Sequence, residues 1–510
     1  MIYMDYGQNN TKGLAVLVGA GPGRAGLLTV DGQKWLTRAD VVIYDRLVNP
    51  SLLDVCREGT EKIFVGKAPL SPRSAQDKIN ELLVAKTQAG GVVVRLKGGD
   101  PLIFGRGGEE LDALAGAGCD FRVVPGISAG VAAGAFAGIA LTDRRFSPTL
   151  TFVTAREDPA RAESAIDFSA LAKIGTVVFY MGVGCAEELA CKLIAAGRAG
   201  ETPVAVVQNI SLASQRTILA TLETLAERIA QADVRPPAVI VVGPAIETAP
   251  QFGWFERLPM FGQRVVVTRS QPQASKLSEA LGELGAEVIE APAITISPPR
   301  DNHRFVEFLD ALRARPFDWV VFTSPNGVEE FVRQCRLHGL DARALGRAKL
   351  AAVGPATAQA LRAVFLQPDL VPDEFTTEAM GLALMNFDDL TSKRVLLVRS
   401  DIAPPGLSDI LRQAGADVED LTAYCTCKPT ALPDKAQEAL FAGKIDWITF
   451  TSSSTVDNFV VLAGRSLLDG PKLAAIGPVT ADALKRHGLT PAVVARPHTI
   501  DALVEAMRDG

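Results

Sequence analysis

The sequence predicts an α/β protein of two successive units, the second built as two similar lobes. Three observations lead there. Short Val- and Ile-rich runs alternate with helical patterns along the 510 residues, as in layered strands and helices. A chain of that length exceeds one ordinary core. The second half also repeats itself in four ordered blocks. RVVVTRS at 264–270 returns as RVLLVRS at 394–400, and LGELGAEVIE at 281–290 as LRQAGADVED at 411–420. FDWVVFTSPNGVEEFV at 317–332 returns as IDWITFTSSSTVDNFV at 445–460, and LAAVGPAT at 350–357 as LAAIGPVT at 473–480. Such a repeat implies two like α/β lobes with a ligand cleft between them.

Composition narrows the function. Hydrophobic residues make up 48% and charged residues 22%, a globular balance. The net charge of −6 gives no basic field for nucleic acid or an anionic membrane, so an anionic substrate must be held by locally placed Lys and Arg. Seven scattered cysteines do not form a disulfide framework. Cys425 and Cys427 form a C-x-C without partners at ligand spacing, so they read as strand residues, and no metal is expected. The opening MIYMDYGQNNTKG lacks the apolar core of a secretory signal, which points to the cytoplasm. Val123–Thr142 is uncharged and near membrane-span length, with Gly126, Gly130, Gly134 and Gly138 at steps of four. Pro125 and the glycines favour a loop feeding an Ala/Gly helix that lies against other backbone or a ligand.

Taken in order, AVLVGAG (15–21), DVVIYD (40–45), GVVVRLKGGDP (91–101), TVVFYMG (176–182) and PAVIVVG (237–243) read as strands. Ser71-Pro72 reads as a cap and first helical residue, with Ile79, Leu82, Leu83 and Lys86 following until Gly90-Gly91. GAGPG at 19–23 is a Gly-rich strand-to-helix turn ahead of LLTVDGQKWL, where backbone amides can approach a ligand. A dinucleotide-binding dehydrogenase would use that turn with Asp45 as its ribose acid, but the third glycine of its pattern is missing. At 247–262, ETAPQFGWFERLPMFG, periodicity lapses, which marks a linker partly anchored by its aromatics. Trp319 and Trp447 occupy equivalent repeat positions and read as core.

AGPG…LLT, ADVVIYDRLV, VGK, LKGGDPLIFGRGGEE, VVPGISAG and FYMG occur in that order. Over residues 14–246 this series resembles the uroporphyrinogen-III C-methyltransferases, tetrapyrrole methylases. The resemblance implies a two-subdomain α/β unit, S-adenosyl-methionine as methyl donor, a tetrapyrrole substrate, no metal, and a homodimer through this half. It implies a cofactor site from Pro22, Gly98, Gly99, Asp100, Ile103, Ser128, Ala129 and Met181. Ser128-Ala129 stands where the family usually has Thr-Ala. Ile210, in QNIS, stands where the family has a Gly contact and can act only through backbone. Asp45 and Lys67 match the family's proton-transfer pair, and Arg106 an arginine near the tetrapyrrole. LTDRR at 141–145 lacks the His that relatives often carry before the first arginine.

The residue types suit the chemistry. A sulfonium methyl is already activated, so the protein has mainly to position an electron-rich pyrrole carbon against it. A carboxylate can stabilise the resulting positive charge or accept a proton, and Lys or Arg can hold substrate carboxylates. Taken singly, Asp45 is equally a helix cap, Lys67 a solvated loop charge and Arg106 half of a structural ion pair.

The doubled FTS and GPAT/GPVT blocks, with RVVVTR before them and TAYCTCKP at the lobe return, resemble uroporphyrinogen-III synthase over residues 263–506. The second unit, 263–510, is then two discontinuous lobes with boundaries near 297 and 421. The reaction implied is closure of hydroxymethylbilane with inversion of its last ring and loss of water. Thr323, Ser324, Thr451 and Ser452 are the hydroxyls expected to meet the substrate. Tyr424 matches a tyrosine assisting departure of the hydroxyl, and Thr480 the Thr after Ile-Gly-Pro. Tyr424 also reads as a cross-strand packing residue and Thr480 as a helix cap. One half would make uroporphyrinogen III and the other convert it to precorrin-2, toward sirohaem or corrins. The alternative is a methyltransferase fused to a non-catalytic two-lobed tetrapyrrole-binding module.

Overall fold

The Val- and Ile-rich runs become strands whose two faces both find cover, which is why they read as continuous rather than alternating. A computed structural model describes residues 13–66, 72–156, 165–269, 274–299, 305, 308 and 315–510. They fall into two compact units, Met1–Gln263 with Leu281–Glu287, and Arg264–Ala280 with Val288–Gly510.

The first unit opens with β1 (Leu14–Gly19), β2 (Val41–Tyr44), β3 (Glu61–Phe64), β4 (Val92–Lys97) and β5 (Asp120–Val124). Their order is β3-β2-β4-β1-β5. The pairings of β1 with β4 and β5, and of β2 with β3 and β4, are parallel. Helices α1 (Val30–Arg38), α2 (Pro72–Gln88) and α3 (Gly107–Gly116) accompany the sheet. The glycine turn does not run straight into α1: a 3-10 turn, Ala25–Leu27, and extended Leu28 intervene, and Thr29 caps α1. The helix N-terminus that a dinucleotide fold aims at its ligand is therefore displaced from the loop.

The uncharged stretch divides into the end of β5, a loop, and α4 (Ala129–Ala137). No described helix is long and apolar enough to cross a membrane. Its glycines serve close approach: a Cβ on Gly130 would stand 2.5 Å from the Tyr180 hydroxyl, and one on Gly138 2.2 Å from the Gly253 nitrogen. The second sheet is β6 (Leu150–Thr154), β7 (Thr176–Tyr180), β8 (Pro203–Gln208), β9 (Arg216–Thr221) and β10 (Ala238–Val242), in the order β6-β7-β10-β8-β9. The segment expected as a linker folds as short helical turns. Phe255 is 2% exposed and meets Phe136 of α4 edge-on at 4.9 Å, and the Trp254 indole donates to Ala135 O at 3.0 Å. Its aromatics have an apolar surface to bury, so it belongs to this unit's core.

The second unit begins with β11 (Arg264–Val267) and β12 (Glu287–Glu290), of which Glu287 is grouped with the first unit. It continues through β13 (Thr295–Ser297), β14 (Trp319–Phe322), β15 (Lys349–Ala352), β16 (Arg394–Ser400) and β17 (Asp417–Cys427). It closes with β18 (Trp447–Phe450), β19 (Lys472–Ala475) and β20 (Val493–Val494). One sheet runs β12-β11-β18-β19-β20 and the other β13-β17-β16-β14-β15. The first thus draws on both ends of the segment and the second on its middle, the chain changing sheets between β12 and β13 and again after Cys427. Cys425 and Cys427 lie in β17, and Trp319 and Trp447 are 0% and 2% exposed.

Candidate active sites of the two units

The carboxyl ends of β1, β4 and β5 bring backbone against backbone. Gly21 and Gly99 exchange hydrogen bonds, N to O at 3.2 Å one way and 2.7 Å the other, both in left-handed conformation. A Cβ on Gly126 would stand 2.2 Å from Gly99 O and 2.7 Å from Gly19 Cα, and one on Gly98 2.8 Å from Leu47 Cβ. Asp100 staples this cradle: its two carboxylate oxygens accept from Leu102 N (2.8 Å) and Gly126 N (3.0 Å). Pro22 lies in the adjoining loop, where Asn49 Nδ2 donates to Gly23 O at 2.8 Å. Ile210 has its side chain in the core, but its carbonyl oxygen lies 3.1 Å from where a Gly23 Cβ would be.

Ser128 and Ala129 begin α4 beside Gly99, whose own Cβ would meet nothing nearer than Ala129 N at 3.9 Å. The Ser128 hydroxyl does not cap the helix. It lies 2.6 Å from the Tyr180 hydroxyl, which also accepts from Gly130 N at 2.7 Å. Burial pushes the Tyr180 phenol above its usual range, keeping its proton in place. The Tyr180 ring lies 4.9 Å from that of Phe104. Ile103 and Met181 stand 38% and 48% exposed on this rim. Phe104, Arg106, Met181, Asn209 and Ser211 all adopt positive φ, strain of the kind that gathers at binding sites. Uncovered apolar side chains beside a close backbone cradle fit an adenosyl group carrying a cationic sulfur.

The charged candidates sit differently. Asp45 follows β2 and is no helix cap, because a turn follows it and Asn49 caps the next short helix; its carboxylate accepts from Arg95 Nη2 at 2.6 Å. Arg106 forms a two-pronged pair with Glu109, both contacts 2.7 Å, while 39% of its side chain stays exposed. In the departing LTDRR stretch, hydrogen bonds from Arg145 hold Asp143 down to about 2. Lys67 and Ser71 lie outside the described residues. Sequence reasoning missed Arg95, Lys97, Glu110 and Tyr180. The signal for the first two was present, since Arg and Lys two positions apart in an otherwise apolar strand share one buried face.

In the second unit Ser324 and Tyr424 come together, their hydroxyls 2.9 Å apart. Ser324 also caps the helix Pro325–Leu337 by accepting from Gly327 N at 3.1 Å, and the Thr323 hydroxyl donates to Val398 O at 3.3 Å. Tyr424 is 7% exposed, packed as a core residue with a satisfied hydroxyl. Thr451 and Ser452 follow β18, where Ser452 caps the helix Ser453–Ala463 in a capping box with Thr455. Thr480 is not a cap: Gly477 holds that place, and Thr480 is buried in the first turn of Pro478–Arg486. No group of side chains suited to a metal ion occurs among the described residues.

Comparison with known proteins gives two family matches. The model for tetrapyrrole (corrin/porphyrin) methylases matches residues 15–226, and that for uroporphyrinogen-III synthase HemD matches 275–505. The porphyrin biosynthesis protein HemD of Ruminiclostridium josui is 36% identical over 97% of this chain and 97% of its own length. A uroporphyrinogen-III C-methyltransferase of Bacillus subtilis (strain 168) is 36% identical over 71% of this chain and 74% of its own. A solved uroporphyrin III C-methyl transferase from Thermus thermophilus aligns at 35% identity and a TM-score of 0.40, over 46% of this chain and 94% of its own. With a relative that shares nearly its whole length, and methylase and synthase matches in succession, the chain belongs to the family of that porphyrin biosynthesis protein HemD and carries a tetrapyrrole methylase domain followed by a uroporphyrinogen-III synthase domain.

Proposed function

We propose that the chain closes hydroxymethylbilane to uroporphyrinogen III with ring inversion and loss of water, and methylates that product to precorrin-2. The observation that carries the methyl transfer is the meeting of the glycine cradle with the Asp45–Leu47 loop, at the contact of Leu47 with Gly98. When bound, S-adenosyl-methionine supplies a sulfonium methyl, whose carbon–sulfur bond breaks as the bond to the pyrrole carbon forms, leaving the electron pair on sulfur. Backbone groups of Pro22, Gly98, Gly99, Ala129 and Ile210 would hold the cofactor in the loop that Asp100 fastens. Ile103 and Met181 would exclude water from it, and Ser128 would offer its hydroxyl from the Tyr180 bond. Asp45 would balance the positive charge on the methylated pyrrole or take the proton the ring then sheds. Arg106 and Lys67 would meet the substrate's carboxylates.

In the second unit, the Tyr424 hydroxyl is held by Ser324, so that it could assist the leaving hydroxyl of hydroxymethylbilane. Thr323, Thr451, Ser452 and Thr480 would fix substrate carboxylates at the strand ends, where conformational control decides the product. Incubating the full chain with hydroxymethylbilane and S-adenosyl-methionine, and resolving products by mass and absorbance, tests both halves. The wild type yields precorrin-2, and Asp45→Ala accumulates uroporphyrinogen III. Precorrin-2 formed at an undiminished rate by Asp45→Ala would overturn the reading of Asp45, and a wild type that forms no methylated product would overturn the methylase reading. An unaltered uroporphyrinogen I to III ratio with and without the protein would leave the second unit a binding module.

A further inference from the structure

Under the glycine cradle lies a group of charges to which the methyl transfer gives no role. Strand alternation sends Val93, Arg95 and Lys97 of β4 to one face, where Val93 packs with Leu83 and Leu114 in an apolar layer. The Arg95 and Lys97 side chains are 2% and 4% exposed, and Glu110 of α3 is wholly buried between them. One Glu110 oxygen takes Arg95 Nε at 2.9 Å, Lys97 Nζ at 2.9 Å and Gln76 Nε2 at 3.3 Å, while the other has no partner among the described residues. Well-packed apolar residues in place of such a group often leave a protein as stable or more so. Stability alone therefore explains it poorly.

Its geometry points outward instead. Two buried cations share one buried carboxylate, so the three carry a formal excess of one positive charge. Arg95 Nη1 donates to the carbonyls of Ile43 (3.3 Å) and Leu96 (3.2 Å), which fixes the guanidinium plane. Its Nη2 then meets Asp45 Oδ1 at 2.6 Å. Asp45 is the outermost member, 31% exposed, and its Oδ2 has no partner among the described residues.

We propose that Arg95 is a positioning residue for Asp45. Clamped by Glu110 and two backbone carbonyls, it holds one Asp45 oxygen and presents the other to the tetrapyrrole. The inference rests on the reading of Asp45 as the carboxylate that meets the substrate. In the full-length chain, Arg95→Met leaves Lys97 and Glu110 paired and strands no buried charge. Asp45→Asn and Arg95→Met are each expected to lower kcat for methylation about 100-fold, the lower range for a positioned acid or base. The KM for uroporphyrinogen III and the calorimetric affinity for S-adenosyl-homocysteine are expected to stay within about threefold, since neither change touches the glycine cradle. The double variant is then no slower than about threefold below Asp45→Asn, because the second change acts through a group already disabled.

Losses that multiply in the double variant, or loss of S-adenosyl-homocysteine binding in Arg95→Met, would make Arg95 structural and overturn the proposal. Full kcat in Arg95→Met with a slow Asp45→Asn overturns the positioning role alone. Full kcat in Asp45→Asn overturns the reading of Asp45 and the proposal with it.

Discussion

Gly126 and Gly108 make a matched pair at the residue scale. A methyl on Gly126 would press on the Gly99 carbonyl at 2.2 Å and on Gly19 Cα, both backbone, so nothing can rotate away. Gly126→Ala is expected to destabilise the first unit by about 1–3 kcal/mol, as overpacking does, and to weaken S-adenosyl-homocysteine binding because the cradle must open. A methyl on Gly108 of α3 meets nothing within 4 Å, so Gly108→Ala is expected to stabilise by about 0.5–1 kcal/mol through the unfolded chain's lost freedom. Urea unfolding of both variants checks the opposite signs. A stable, cofactor-binding Gly126→Ala would mean the strand ends yield more readily than their distances imply. Gly98-Gly99-Asp100 was legible because two glycines and an acid after a buried strand are unfavourable unless backbone must approach closely. The demand for Gly130 was not, since Tyr180 lies fifty residues on and only folding sets its hydroxyl there. Arg95 and Glu110 were visible singly but not as a pair, because pairing depends on where α3 crosses the sheet.

At the scale of elements, the two lobes duplicate more than their strand order. β12-β11-β18-β19 matches β17-β16-β14-β15, strand for repeated strand. Asp446 accepts from Arg264 N at 2.7 Å where Asp318 accepts from Arg394 N at 2.9 Å. Lys472 lies 5.1 Å over Trp447 where Lys349 lies 5.2 Å over Trp319. The repeated serines both cap helices, but among the described residues only Ser324 also meets a tyrosine. Ser452→Ala is therefore expected to cost about 1 kcal/mol of stability, the usual value of a lost cap. Ser324→Ala is expected to cost a similar amount and also to slow hydroxymethylbilane closure more than Ser452→Ala does. Urea midpoints and closure rates of the two variants decide it; equal rate losses would remove any special part for the Ser324–Tyr424 bond. The repeat made the lobes legible, but it is silent on which strands share a sheet, so their discontinuity came only from family resemblance. Residues 247–262 misled for a related reason. A segment with no period can still be core when its aromatics find an apolar helix, and α4 is such a surface.

For the whole molecule, each unit has apolar cores of its own among the described residues. Those of the first are built around Val178, Phe179, Val94 and Leu83, those of the second around Phe322, Phe450 and Leu397. Units with separate cores are expected to unfold in separate transitions, since cooperativity follows shared burial. The proposed cofactor cradle is formed by first-unit residues, so a ligand there is expected to stabilise one transition and leave the other in place. S-adenosyl-homocysteine at 100 times its Kd adds about 2.7 kcal/mol to the unit that binds it. For a unit of 150–250 residues each kcal/mol moves Tm by about 2–4 °C, so the first transition is expected to rise by about 5–10 °C. Differential scanning calorimetry of the full chain, with and without the ligand, reads this directly. Two peaks with one displaced is the expected trace. A single peak that moves as a whole would mean that the two units, despite separate cores, hold each other in one cooperative fold.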